Sequence, residues 1–158
     1  GKIVAEAPWE HITLDEVREK AKAFTGQITQ IPPMVSALKH QGTRLYKLAR
    51  QGKTVPRKGR LVTVYEFRFE KKEGKFIHFF AHVSKGTYLR TLVNDLGEAL
   101  GCHAALASLR RLRSGHFALQ DSVTIDDLKQ LELPELYQKI LPLSVCLGHA
   151  DHQRLQSF

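Results

Sequence analysis

Apolar positions recur along this chain with two different periods. From Thr13 to Phe24 they fall at Leu14, Val17, Ala21 and Phe24, the spacing of one helical face. Thr13 and Glu16 stand three apart at its start, as a capping box requires, and Gly26 is a natural stop. Residues 60–69 (RLVTVYEFRF) and 76–83 (FIHFFAHV) are β-branched and aromatic with partial alternation. The Gly-bearing stretch Glu70–Lys75 between them predicts a β-hairpin. Ser84–Thr87 is a small-residue turn into a helix from Thr87 to about Leu100, capped by Gly101. Leu89, Leu92, Val93, Leu96 and Leu100 share its apolar face, with Leu89 near the centre.

Other stretches carry weaker patterns. Residues 27–43 lack periodicity, and Pro32-Pro33 favours extended backbone there. A short basic helix is predicted over Arg44–Gln51, ending at Gly52. This Gly-bounded, weakly apolar loop–helix reads as a mobile excursion from the core. Ala104–Ala107 reads as a helical turn or loop. Leu109–Arg113 and Phe117–Leu119 read as strands around Ser114-Gly115, and Thr124–Leu131 as a small helix with Asp126 and Asp127 in its first turn. After Pro134 the pattern fades. Irregular mixing of helices and strands is an α+β arrangement.

Composition narrows the partner. In 158 residues, 24 Lys and Arg face 16 Asp and Glu, a net charge of +8. The excess is unevenly placed. The 46 residues from Lys20 to Tyr65 hold no Asp or Glu, and a second acid-free window, Ala99–Gln120, contains Arg110, Arg111 and Arg113. A solvated face normally mixes both signs, so these windows point to a polyanion. No run reaches the ~20 apolar residues of a membrane span, and the early acids Glu6, Glu10, Asp15, Glu16 and Glu19 are unlike a signal or transit peptide. Arg44–Gln51 is too short and too poor in bulky apolar residues for a membrane-surface helix. Cys102 and Cys146 are isolated, and the eight histidines are scattered, so a reduced cytoplasmic setting without a metal is expected.

One constellation carries chemistry. Arg90 lies roughly 100° around the predicted helix from Leu89, at the margin of the apolar face and beside Gly97. An arginine so placed could present its planar fork to a carboxylate or a phosphate. Gly97 would let another element approach closely. Asp95 falls on the opposite margin and cannot readily pair with Arg90. Lys85 and Gly86 lie in the preceding turn, where free backbone N–H groups can receive an anion.

Four stretches in order carry a wider likeness: FTGQITQIPPMVSALKHQGTRLYKLARQGK (24–53), RLVTVYEF (60–67), VSKGTYLRTLVNDLGEALGCHA (83–104) and LRRLRSGHFALQDSVT (109–124). Together they resemble the bacterial TruB family, the tRNA pseudouridine-55 synthases. The resemblance covers most of the chain from Ile12 to Val145. It implies the C-terminal half of the pseudouridine synthase catalytic fold over residues 1–143. That is a mixed, mostly antiparallel sheet flanked by helices, with an RNA-clasping basic loop–helix insertion at 27–58. Residues 144–158 would be a linker or the start of a truncated PUA-type RNA-binding domain.

The resemblance also implies roles. Family members isomerise one uridine of the tRNA T-loop without a cofactor, using a nucleophilic Asp on a flipped-out base. Arg90 would orient that Asp, Tyr88 would line the pocket, and Leu109 would pack against the base. Lys39, Arg44, Lys47 and Arg50 would touch the T-arm backbone, with Lys85 and Arg110 as further phosphate contacts. Val35 departs from the family, which usually has an aromatic there, and is given no role. The larger departure is the nucleophile motif G-T-L-D, which does not occur in this sequence. The chain therefore reads as a portion whose partners are the tRNA T-arm and the missing N-terminal half, with no membrane involved, and it should be inactive alone. The alternative is a non-catalytic module for structured RNA.

Overall fold

A computed structural model describes residues 3–142 and 145. The chain forms two compact units, Gly1–Leu109 and Arg110–Phe158. Helix α1 spans Leu14–Ala21. Its start is the expected capping box: Thr13 Oγ1 accepts from the Glu16 N–H at 3.2 Å, and the Glu16 carboxylate accepts from the Thr13 N–H at 2.7 Å. The second bond holds the Glu16 carboxyl below its usual pKa. The helix tightens into a 3₁₀ turn at Lys22–Phe24. Gly26 is not its cap; it opens strand β1, Gly26–Gln30, which the aperiodic sequence did not reveal. Two short strands, β2 (Lys39–His40) and β3 (Thr43–Arg44), follow. Gln41 and Gly42 link them at φ 46° and 80°. Two successive positive φ values are what a tight hairpin turn needs, and Gly is the residue that adopts them without strain. Helix α2 is Leu45–Arg50.

Strands β4 (Arg60–Glu73) and β5 (Phe76–Val83) form the expected hairpin. The sheet order is β1-β4-β5, antiparallel, with Ile28 opposite Val62 and Phe69 opposite Phe79. The partial alternation of β4 has a physical cause. A bulge between Val64 and Glu66 resets the pleat, so Val62, Val64, Phe67 and Phe69 are all buried while Tyr65 and Glu66 both face out. Phe67 packs edge-on to Phe79 with centroids 5.4 Å apart.

Helix α3 spans Leu89–Leu100, two residues later than expected, with Tyr88 as N-cap. Leu92 and Leu96 are its most buried residues, and Leu89 is half-buried, so the centre of its apolar face lies nearer Leu92 than Leu89. These leucines join Val17 and Ala21 of α1 and Val64, Phe67 and Phe69 of β4 in one core. Full burial of one leucine contributes about 2 kcal/mol. Gly97 is required. A Cβ there would lie 2.3 Å from the Ala104 backbone nitrogen, in the loop that Gly97 was expected to admit. Residues 104–107 are loop, one of the two readings of the sequence.

The second unit is small. Its strands are β6 (Arg113–Ser114) and β7 (Phe117–Ala118), shorter than expected, and its helices are α4 (Ile125–Gln130) and α5 (Leu133–Lys139). Thr124 and Asp127 cap α4 reciprocally. Helix α5 was unforeseen because Pro134 reads as a terminator; it sits in the first turn, where its missing N–H has no intrahelical role. No residue of this unit is fully buried among those described. Apart from residue 145, the expected linker or PUA start at 144–158 lies outside the described residues.

Candidate active site

The start of α3 is held by two local devices. The first is the turn before it. Ser84 Oγ accepts from the Thr63 N–H at 2.9 Å, and the Ser84 N–H donates to the Thr63 carbonyl at 2.8 Å. The Thr87 hydroxyl donates to the Ser84 carbonyl at 2.9 Å. The turn is thereby fixed to β4. The second is Gln30, the last residue of β1, only 3% exposed. Its Oε1 accepts from the Tyr88 N–H at 2.7 Å, and its Nε2 donates to the Tyr88 carbonyl at 3.2 Å.

Two residues on, Arg90 reaches the loop after β1. Its Nη2 donates to the Val35 carbonyl at 2.8 Å. That loop is itself tied to α2: the Leu45 N–H donates to the Leu38 carbonyl at 2.7 Å, and the Tyr46 N–H to the Ser36 carbonyl at 3.1 Å. Carbonyl groups thus cap a helix that has no side-chain cap. Pro32, Ser36 and Leu45 are buried. The basic segment is thus tied to α3 through Val35 and Arg90 and buries Leu45, and residues 27–30 belong to the sheet.

An open cleft of about 540 Å³ lies where these pieces meet. Tyr88, Arg90 and Val35 line one part, and Tyr46, Ala49 and Arg50 another. The Arg50 guanidinium lies over the Tyr46 ring, 5.5 Å from its centroid. Among the described residues, no acidic side chain lines this cleft. Arg90 is exposed and makes no ion pair among the described residues. Asp95 instead accepts from the Asn94 side chain at 3.4 Å. A guanidinium anchored to a carbonyl through one nitrogen keeps further donors for a carboxylate or phosphate.

The other expected residues do not line this cleft. Lys39 lines a separate cleft of about 270 Å³ with His40, Arg57, Lys58 and Arg60. Arg57 Nη1 donates to the Pro32 carbonyl at 3.2 Å, while its Nε is buried without a partner. Arg44 precedes α2 as its N-cap, and Lys47 is exposed on that helix. Lys85 is exposed in the turn. Leu109 is 57% exposed and does not line the main cleft. Arg110 opens the second unit and is exposed.

Of the residues named from the sequence, Tyr88, Arg90 and Arg50 line one cleft. Sequence reasoning missed Gln30 and Val35. A backbone carbonyl such as that of Val35 leaves no signature in side-chain identity. Gln30 is one polar residue in TGQITQIPP, and only its partner on α3 sets it apart. Among the described residues, no group of three or more His, Cys, Asp or Glu is placed to hold a metal, and no helix is long and apolar enough to cross a membrane.

Comparison with known proteins gives the family. Residues 1–89 match the family model described as TruB family pseudouridylate synthase (N terminal domain). Residues 90–147 match the one described as tRNA pseudouridylate synthase B C-terminal domain. The chain is 41% identical over 150 residues to tRNA pseudouridine synthase B of Geobacter sulfurreducens, covering 94% of this chain and 49% of that one. For the protein of the same name from Coxiella burnetii the figures are 41% over 159 residues, 98% and 52%. The chain thus spans about half the length of these relatives. Among solved structures, a chain of a Cbf5-Nop10-Gar1 complex matches with a TM-score of 0.64 and 30% identity, over 83% of this chain and 37% of that chain. This likeness and the antiparallel sheet with its helices bear out the α+β pseudouridine synthase fold. The chain belongs to the TruB family of pseudouridylate synthases.

Proposed function

We propose that this chain is the arginine-bearing portion of a cytoplasmic tRNA pseudouridine-55 synthase. The observation that carries the reading is the cleft itself: Tyr88 and Arg90 open onto the same space as Arg50 of the acid-free basic segment. The reaction is an isomerisation. The bond from C1′ to N1 of the uracil breaks, the base turns, and C5 takes its place on C1′. N1 gains a proton and C5 loses one, so no cofactor enters. The nucleophilic Asp comes from the N-terminal half that this sequence lacks. Arg90 holds one oxygen of that carboxylate while the other reacts. Tyr88 lines the base pocket and Leu109 packs against the flipped base. Lys39, Arg44, Lys47, Arg50, Lys85 and Arg110 meet RNA phosphates. Residues 1–143 form this catalytic portion, with 27–58 as the clasp, and 144–158 lead toward a further RNA-binding domain.

The test is conversion of a T-arm stem-loop by this chain with and without the N-terminal half. Pseudouridine only in the complemented sample is the expected result. Robust conversion by this chain alone would overturn the division of labour. A second reading, a non-catalytic module for structured RNA, draws on the absence of an acid in the cleft lining. It requires salt-sensitive RNA binding with no modified product under any complementation.

A further inference from the structure

We infer that Gln30 is a positioning residue for Tyr88 and Arg90, an inference that rests on the functional reading above. Glutamine is a costly residue to bury, and an apolar side chain would pack as well. Gln30 and Ser36 are the only polar residues among those described that are buried. The Gln30 amide is committed at both ends to the backbone of one residue, Tyr88, whose N–H and carbonyl belong to two successive peptide groups. Without it the Tyr88 N–H would have no acceptor among the described residues. The Tyr88 carbonyl also accepts from the Leu92 N–H at 3.0 Å, the first bond of α3. Gln30 therefore fixes both peptide planes flanking Tyr88, the residue from which the helix begins. The Tyr88 side chain projects from between them, and Arg90 follows within the first turn.

The position of Gln30 in the chain adds to this. It is the last residue of β1, opposite Arg60. Five residues later, the Val35 carbonyl takes the Arg90 guanidinium. One strand end and the loop leaving it thus grip Tyr88 and Arg90. Gln30 does not itself line the cleft and would act through Tyr88.

The experiment compares wild type, Gln30→Ala, Gln30→Glu and Arg90→Ala in the polypeptide completed with the N-terminal half, on a T-arm stem-loop. Gln30→Ala should lower kcat by about tenfold to a hundredfold, the scale of a small misplacement of a reacting group, with KM within about twofold. Gln30→Glu supplies the discriminating readout. Its protonated carboxyl has the same acceptor and donor as the amide, whereas the ionised form loses the donor and faces the Tyr88 carbonyl. Burial favours the protonated form. The ratio of variant to wild-type kcat should therefore climb as the pH is lowered from 8 to 6. A flat or falling ratio, or an unchanged kcat in Gln30→Ala, would overturn the inference while Arg90→Ala still loses activity. If the completed polypeptide makes no pseudouridine, the functional reading has failed. The lock on Tyr88 is then decided by amide hydrogen exchange in this chain. Faster exchange at Tyr88 in Gln30→Ala with Val64 unchanged supports it, and unchanged exchange at Tyr88 overturns it.

Discussion

Two regions of the first unit are built on opposite principles. The core of α1, β4, β5 and α3 buries Val17, Val64 and Leu92 almost completely and sets its charges in pairs. Arg68 bonds Glu66 and Glu70, and Lys71 bonds Glu73. These flanking carboxylates raise the Arg68 pKa, and the Lys71 ammonium lowers that of Glu73. Past β1, over residues 31–58, the clasp buries little beyond Pro32, Ser36 and Leu45. None of its cations joins an ion pair among the described residues. It holds its shape through carbonyl contacts, at Leu38, Ser36 and Val35. A surface whose cations are left without protein partners is ready for a polyanion, and that readiness is obtained by omitting acids. The same omission leaves stability to the core.

The largest expected effect breaks the core side of this comparison. Leu92 is 0% exposed, so Leu92→Ala should lower unfolding free energy by about 2–5 kcal/mol in urea titration. Lys47→Gln, on the exposed face of the clasp, should stay within about 0.5 kcal/mol. Comparable losses from both would show that the clasp is part of the stabilising unit.

Arg90 stands at the join of the two regions, rooted in α3 and bonded to the clasp loop. In the completed enzyme, Arg90→Ala should slow single-turnover conversion by about a hundredfold and weaken RNA binding much less. Equal losses in both would assign Arg90 to the clasp's work and remove its orienting role. Gln30→Ala, by contrast, should leave Arg90 present and misplaced.

How much of this was legible follows the same division. The core was written in periodicity. Thr13 and Glu16 announced α1, the β-branched runs announced β4 and β5, and Leu92 and Leu96 announced α3. What escaped was whatever depends on a distant partner. Strand β1 was hidden because only alternate residues such as Ile28 pack inward, on a strand five residues long. Helix α5 was hidden by Pro134. In the site, Tyr88 and Arg90 were found through the GTYLR string. Their supports, Gln30 and the Val35 carbonyl, lie 58 and 55 residues away in sequence, and no local pattern encodes a contact of that length. Val35 drew notice only as a departure in side chain, yet its backbone is what binds.

A smaller effect sharpens the clasp side. Changing Lys47 or Arg50 to Gln should weaken stem-loop binding and reduce the slope of log K against log salt by about one per lost phosphate contact. Arg50 should show an additional salt-independent loss, because its guanidinium also stacks on Tyr46 in the cleft. Binding measured between low and moderate salt separates the two. Identical behaviour of Lys47 and Arg50 would mean that the cleft wall plays no part in holding RNA.

The smallest expected effect uses pH to pull the regions apart. The Thr13 backbone N–H and hydroxyl hold Glu16 below its ordinary value of 4.5, and the Lys71 ammonium does the same for Glu73. A carboxyl with a depressed folded pKa adds stability that is fully present above its unfolded value. That stability is lost as the pH falls from about 4.5 through the folded value. Thermal unfolding should therefore begin to shift downward below about pH 4.5, and Thr13→Ala should shrink the part of that shift due to Glu16. The clasp has no carboxylate to titrate, and RNA phosphates stay ionised in this range. Stem-loop binding by the still-folded chain should keep its salt slope as the pH is lowered toward 4.5, while melting at lower pH reports the core alone. A salt slope that collapsed together with the melting temperature would mean that the clasp takes its form from the paired charges of the core, and the contrast between the two regions would no longer hold.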